Sequence, residues 1–224
     1  MMPAELFTAM VALAGPVWPA YTRHEFVMRL ARGDLPEVAF RRYLVQDYLF
    51  LLHFARAWGL AVYKSDSLAE MRRAQRLVAA TLDVEIGLHI DYCRGWGLDE
   101  PRMAAEPEAL ETVAYTRFVL DRGVAGDRLD LEVSLAPCIV GYAVIATERM
   151  ADPQTRLDGN PYRGWLEMYS GTGYQDLARE AEAALDEQFV RRGGEGRFAS
   201  LAANFALATG LETDFWQMGL DAQP

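Results

Sequence analysis

Apolar residues recur along this chain three, four and seven positions apart, the spacing that lines one face of a helix. Nowhere do they alternate as a half-buried strand requires. Nine segments carry the helical period: 4–14, 18–32, 36–63, 67–95, 107–121, 126–150, 161–169, 174–192 and 196–219. Ala, Leu, Arg and Glu, all good helix formers, dominate these segments. The breaks between them are short. Gly33-Asp34-Leu35-Pro36 stops one helix and starts the next, with proline near the first turn. Ser65-Asp66-Ser67 offers N-caps, and Gly95-Trp96-Gly97, Asp121-Arg122-Gly123, Gly171-Thr172-Gly173 and Gly193-Gly194 mark turns. Asp152-Pro153 through Asn160-Pro161 is the longest polar connection. The pattern predicts an all-α, single-domain helical bundle of seven to nine helices over 1–224.

Three polar residues interrupt the apolar stripes. Asp47 sits among Phe40, Tyr43, Leu44, Leu51 and Phe54. A carboxylate there must be hydrogen-bonded or must bind something, so it either ties two helices together or holds a ligand. Cys138 sits among Leu131, Leu135, Tyr142 and Ile145. A buried cysteine is commonly a small hydrophobe, but Pro137 precedes this one inside the helix, where proline removes a hydrogen bond and kinks the chain. Glu212 shares a face with Phe205, Ala208, Trp216 and Gly219, flanked by Phe215. A glutamate in such company is either salt-bridged or a proton carrier. Two acids and a thiol turned inward among aromatic rings suit a small planar ligand.

Bulk composition narrows the classes. The 224 residues are 51% hydrophobic and 24% charged, with a net charge of −10, a balance that fits a globular domain and repels polyanions. Arg41-Arg42, Arg72-Arg73 and Arg191-Arg192 are short, separated pairs that read as solvated helix surface. Nucleic acid is therefore not an expected partner. Two cysteines, Cys93 and Cys138, make no disulfide framework and no Cys-x-x-Cys site. No apolar run is expected to approach the roughly 18 residues of a membrane span. The stretch Met1 to Gly15 lacks the basic start of a signal peptide, so the expected setting is the cytoplasm, away from any membrane.

Of the three histidines, His24 ends Tyr21-Thr22-Arg23-His24 and His53 lies beside the Asp47 stripe. Glu85 and His89 are one turn apart on a face with Val78, Leu82 and Tyr92. Di-iron bundles use Glu-x-x-His, spaced three and repeated. Here the spacing is four and no second motif occurs, so a satisfied structural pair is the simpler reading. A haem would need an axial histidine, with His24 the candidate.

Several motifs, taken in order, resemble one family. Phe40-Arg41-Arg42-Tyr43-Leu44-Val45-Gln46-Asp47-Tyr48 resembles the F-x-x-Y-L-x-Q-D-Y signature of the TenA, or thiaminase II, family. So do Leu135-Ala136-Pro137-Cys138 with Gly141-Tyr142, then Asn160-Pro161-Tyr162 with Trp165 and Tyr169, then Glu212-Thr213-Asp214-Phe215-Trp216. The resemblance implies a haem-oxygenase-like fold without haem, a homotetramer, and hydrolysis of aminopyrimidines in thiamin salvage. The implied substrate is 4-amino-5-aminomethyl-2-methylpyrimidine, released as the hydroxymethyl pyrimidine and ammonia, with thiamin cleaved by many members. Cys138 matches the family's nucleophile and Glu212 its proton donor. Asp47, Tyr142 and Tyr169 match substrate-binding positions, and Tyr115 and Phe215 aromatic pocket positions. Phe50 is a departure, because some members carry there a tyrosine associated with sharpening the thiol, and phenylalanine donates no hydrogen bond. Tyr48 points about 100° away from Asp47 and does not replace it. No metal or organic cofactor is implied. The alternatives are a non-catalytic pyrimidine-binding protein and a metal-dependent oxidase on the same bundle. A transcriptional role, sometimes attached to this family, sits poorly with a charge of −10.

Overall fold

A computed structural model of the chain describes residues 5–222. The first residue of the expected helix at 4–14, and the first four residues of the stretch Met1 to Gly15, lie outside them. Among the described residues the chain forms α1 (Leu6–Ala14), α2 (Val17–Thr22), α3 (Glu25–Arg32), α4 (Glu37–Tyr63), α5 (Leu68–Ala79), α6 (Ile86–Gly95), α7 (Glu100–Ala105), α8 (Leu110–Ala125), α9 (Arg128–Ala136), α10 (Tyr142–Ala151), α11 (Arg163–Ser170), α12 (Thr172–Arg192) and α13 (Glu195–Leu220). Two π-helical segments join α5 to α6 (Ala80–Glu85) and α9 to α10 (Pro137–Gly141). The all-α class is as expected.

The differences from the sequence pattern are local. The expected helix at 18–32 is divided between α2 and α3, because His24 leaves helical geometry (φ −58°, ψ 146°) and its Nδ1 caps the Phe26 N–H. The apolar period runs through this break and does not report it. The polar connection after Trp96 contains α7, which Asp99 caps and which has Pro101 in its first turn. The expectation about apolar length is corrected: Arg128–Ala151 is long and apolar enough to cross a membrane, containing an 18-residue window with a mean hydropathy of 1.7. However, 89% of that window is buried inside the protein, which is how a core helix meets the same criterion.

The chain divides into two compact units. One holds the stretch ending at Pro36 together with Glu132–Gln217. Its core includes Tyr21, Phe26, Trp165, Tyr169 and Trp216, all fully or almost fully buried. Its long polar connection is held by Asn160. The side-chain amide donates to the carbonyls of Leu30, Ala31 and Arg156, and its oxygen accepts from the Tyr162 N–H. Two of these carbonyls lie in the last turn of α3, where they also accept the N–H groups of Gly33 and Arg156, and Gly33 takes a left-handed conformation (φ 77°). Tyr162 completes the clamp by donating its hydroxyl to the Leu35 carbonyl. Asn160→Ala should lower stability by about 2 kcal/mol and the melting temperature by about 4–8 °C, as read by scanning calorimetry.

The other unit holds Glu37–Leu131 and the chain from Met218 onward. Ser67 caps α5 by accepting from the Glu70 N–H, and the Glu70 carboxylate takes the Asp66 N–H. The same carboxylate lies 3.1 Å from the buried Arg128 guanidinium, which also donates to Ser65. The charge of Arg128 is thus neutralised and hydrogen-bonded within its own unit, the condition for tolerating a buried ion.

Candidate active site

The unit with Cys138 builds its site from a defect in a helix. Pro137 has no N–H, so the carbonyl one turn earlier loses its donor. The backbone widens into the π segment Pro137–Gly141, and such segments frequently occur at functional sites. Tyrosine hydroxyls occupy two carbonyls of this wide turn: Tyr21 donates to Pro137 O at 3.0 Å and Tyr174 to Cys138 O at 3.2 Å. Gly141 is required for that approach, since a Cβ there would lie 2.6 Å from the Tyr21 ring. Cys138 is buried, with 7% of its surface exposed.

Tyr142 follows Cys138 by one turn, on the same face. Its ring centroid lies 5.0 Å from Tyr169, 5.3 Å from Trp216 and 5.8 Å from Trp165. Trp216 in turn follows Glu212 by one turn of α13, and Glu212 is 1% exposed. Contact between Tyr142 and Trp216 therefore joins the helix of the thiol to the helix of the acid within one unit. Phe215, also buried, is adjacent to Trp216. Five residues singled out from sequence, Cys138, Tyr142, Tyr169, Glu212 and Phe215, belong to this unit.

The other unit holds Asp47, Phe50 and Tyr115. Asp47 is 3% exposed, and two side chains converge on its Oδ2. Tyr43 donates its hydroxyl at 3.0 Å, and His89 Nε2 lies at 2.6 Å. The other ring nitrogen of His89 faces the Glu85 carbonyl at 2.8 Å. A carbonyl can only accept, so Nδ1 carries a proton, and a proton on Nε2 as well makes the ring an imidazolium against a carboxylate. Burial alone would push the fully buried imidazole down. The hydrogen bond and charge of Asp47, with Glu85 nearby, outweigh it and raise its pKa above the usual histidine value. The Phe50 and Tyr115 rings pack 4.8 Å apart at 35°. Tyr48 points instead to Glu100, 3.3 Å away, and burial with that carboxylate raises its pKa.

The sequence reading missed the Asp47–His89 pair. It matched His89 with the Glu85 side chain one turn away, whereas the His89 ring bonds the Glu85 backbone carbonyl through Nδ1 and keeps Nε2 for Asp47. The available signal was the Tyr43/Asp47 spacing of four on one apolar stripe. The remaining histidines serve elsewhere. His24 caps α3, and His53 lies 2.6 Å from Glu108 beside Arg117, its pKa lowered by burial. Among the described residues no group of three or more His, Cys, Asp and Glu is placed to hold a metal ion. Cys93 is fully buried, and burial pushes its thiol up to about 11, which makes it a poor nucleophile.

Residues 12–222 match the model of the TENA/THI-4/PQQC family. A TenA family transcription regulator of Silicibacter sp. TM1040, known from its crystal structure, is 43% identical to this chain, with a TM-score of 0.91 over 97% of each chain. The aminopyrimidine aminohydrolase of Halalkalibacterium halodurans is 31% identical over 92% of this chain and 91% of its own length. A Shewanella denitrificans domain of unknown function with a heme oxygenase-like fold superposes with a TM-score of 0.70 at 10% identity, covering 94% of this chain and 90% of that one. That likeness concerns the fold alone, and it agrees with the haem-oxygenase-like architecture expected from the motifs. With the family model matched from residue 12 to residue 222, the chain belongs to the TENA/THI-4/PQQC family.

Proposed function

We propose that this protein is a thiaminase II-type hydrolase that converts 4-amino-5-aminomethyl-2-methylpyrimidine and water into the hydroxymethyl pyrimidine and ammonia, by covalent catalysis through Cys138. The observation that carries the reading is a buried thiol in a π-helical turn, one turn before a tyrosine that packs against the tryptophan next to the buried Glu212. The 31% identity to an aminopyrimidine aminohydrolase supports the substrate class.

Direct displacement of an amine by water is slow, and a covalent intermediate divides it into two easier steps. In this scheme the Cys138 thiolate adds to the ring carbon next to the substituted one. Glu212 supplies the proton with which the amine departs, leaving an exposed methylene. Water adds to that methylene, its proton restoring Glu212 to the acid form, and the thiolate leaves, so one C–N bond is exchanged for one C–O bond. Asp47 binds the exocyclic amino group of the ring, and Phe50, Tyr115, Tyr142, Tyr169 and Phe215 supply aromatic faces for it. No metal or organic cofactor enters the scheme. A homotetramer in the cytoplasm belongs to the same reading, and analytical ultracentrifugation tests the assembly.

The decisive assay is incubation of purified protein with the aminomethyl pyrimidine and measurement of ammonia. Release with equimolar hydroxymethyl product is expected. Binding of that product without any ammonia release would overturn the hydrolase in favour of a pyrimidine-binding protein. Cys93→Ser should retain activity within about twofold, since its thiol is fully buried and unreactive.

A further inference from the structure

Asp47 uses its two carboxylate oxygens unequally. Both Tyr43 and His89 act on Oδ2. Among the described residues Oδ1 accepts no hydrogen bond from the protein. The side chain nevertheless retains only 5% of its surface, against none for His89. Oδ1 is therefore the oxygen of a mostly buried carboxylate that is left open to a donor from outside the protein.

The orientation of His89 is over-determined. The π segment Ala80–Glu85 ends at the residue whose carbonyl receives Nδ1–H. That bond fixes the ring plane and leaves Nε2–H aimed at Asp47, in the way an outer hydrogen bond sets a histidine's tautomer. We infer that His89 is a positioning residue for Asp47: the imidazolium holds Oδ2, and so presents Oδ1 as the acceptor for the exocyclic N–H of a 4-aminopyrimidine. The inference rests on the proposed function, and it names the group that prepares the carboxylate for that substrate class. Tyr43 fixes the second lone pair of Oδ2, and Glu85 is the other charged group acting on the ring. A neutral donor in place of the imidazolium preserves a hydrogen bond to Oδ2 but removes the charge that the carboxylate is paired with.

The test compares wild type, His89→Gln, His89→Leu and Asp47→Asn. Calorimetric binding of the hydroxymethyl pyrimidine and steady-state kinetics on the aminomethyl pyrimidine are measured from pH 5 to 8. Affinity at pH 7 should fall about tenfold in His89→Gln and further in His89→Leu, with KM rising more than kcat falls. Wild-type affinity should fall as His89 loses its proton toward the alkaline end of this range, and that fall should be absent in both variants. In the wild type, nitrogen NMR at pH 7 should find both His89 ring nitrogens protonated, and Asp47→Asn should return the ring to the neutral form. That measurement on folded wild type stands even where His89→Leu does not fold. Variants with wild-type affinity and an unmoved pH profile, differing only in melting temperature, would overturn the proposal and leave His89 a structural residue. A wild type that neither binds nor hydrolyses the pyrimidine would overturn the functional reading itself, an outcome visible before any variant is compared.

Discussion

Cys138→Ser should lose at least about a thousandfold in turnover of the aminomethyl pyrimidine, while its affinity for the hydroxymethyl product stays within about threefold. The reason lies in what the sulfur is asked to do twice. It must attack as an anion in the first half-reaction and depart as one in the second, and an alkoxide is far harder to form than a thiolate. The exchange is nearly isosteric, so the surroundings have no cause to rearrange. The π turn is specified by Pro137, by Gly141 and by the hydroxyls of Tyr21 and Tyr174, which bond backbone carbonyls that the exchange leaves in place. The Tyr142–Trp216–Trp165–Tyr169 cluster is unchanged by the swap. Ammonia release, calorimetric binding and thermal unfolding on the same preparation separate these effects. Mass spectrometry of wild type stopped during turnover should find the pyrimidinyl group on the peptide that contains Cys138. Full activity in Cys138→Ser would remove the nucleophile assignment outright.

The helices were legible because burial imposes a period that the sequence must carry. Asp47, Cys138 and Glu212 stood out for the same reason: each is a costly or reactive group placed where the period demands something apolar, and each is buried. The π segments were less visible. Pro137 signalled a disturbed helix, but Ala80–Glu85 has no residue that marks it. A π turn adds one residue to the backbone cycle without altering composition. The break at His24 was hidden by capping chemistry, which competes with periodicity and leaves the apolar stripe intact. The Asp47–His89 pair was hidden for a different reason. The two residues lie 42 positions apart, and periodicity says which face a residue occupies without saying which distant face it meets. Asn160 matched a motif whose chemistry the sequence could not specify, and its contacts make it a structural clamp on α3.

Glu212→Gln should separate two substrates that differ only in the leaving nitrogen. The amine of the aminomethyl pyrimidine leaves as ammonia, so its nitrogen must hold an extra proton as the C–N bond breaks. Thiamin's thiazolium nitrogen is already quaternary and departs as a neutral thiazole, with no proton to be supplied. A glutamate that acts as the acid should therefore matter to the first and little to the second. Glutamine fills the same space beside Trp216 and can still donate a hydrogen bond, but it cannot give up a proton at neutral pH. Loss of a general acid is worth about 10²–10⁴-fold, so kcat/KM for the amine should fall by at least about a hundredfold more than kcat/KM for thiamin. The comparison uses kcat/KM because that ratio covers the steps through the first irreversible one, departure of the amine or the thiazole. Addition of water comes afterward and is common to both substrates, so any role of Glu212 in activating that water cancels from the comparison. An equal loss on both substrates would mean that Glu212 holds the pyrimidine ring in place, and the acid in the reaction would have to be sought elsewhere.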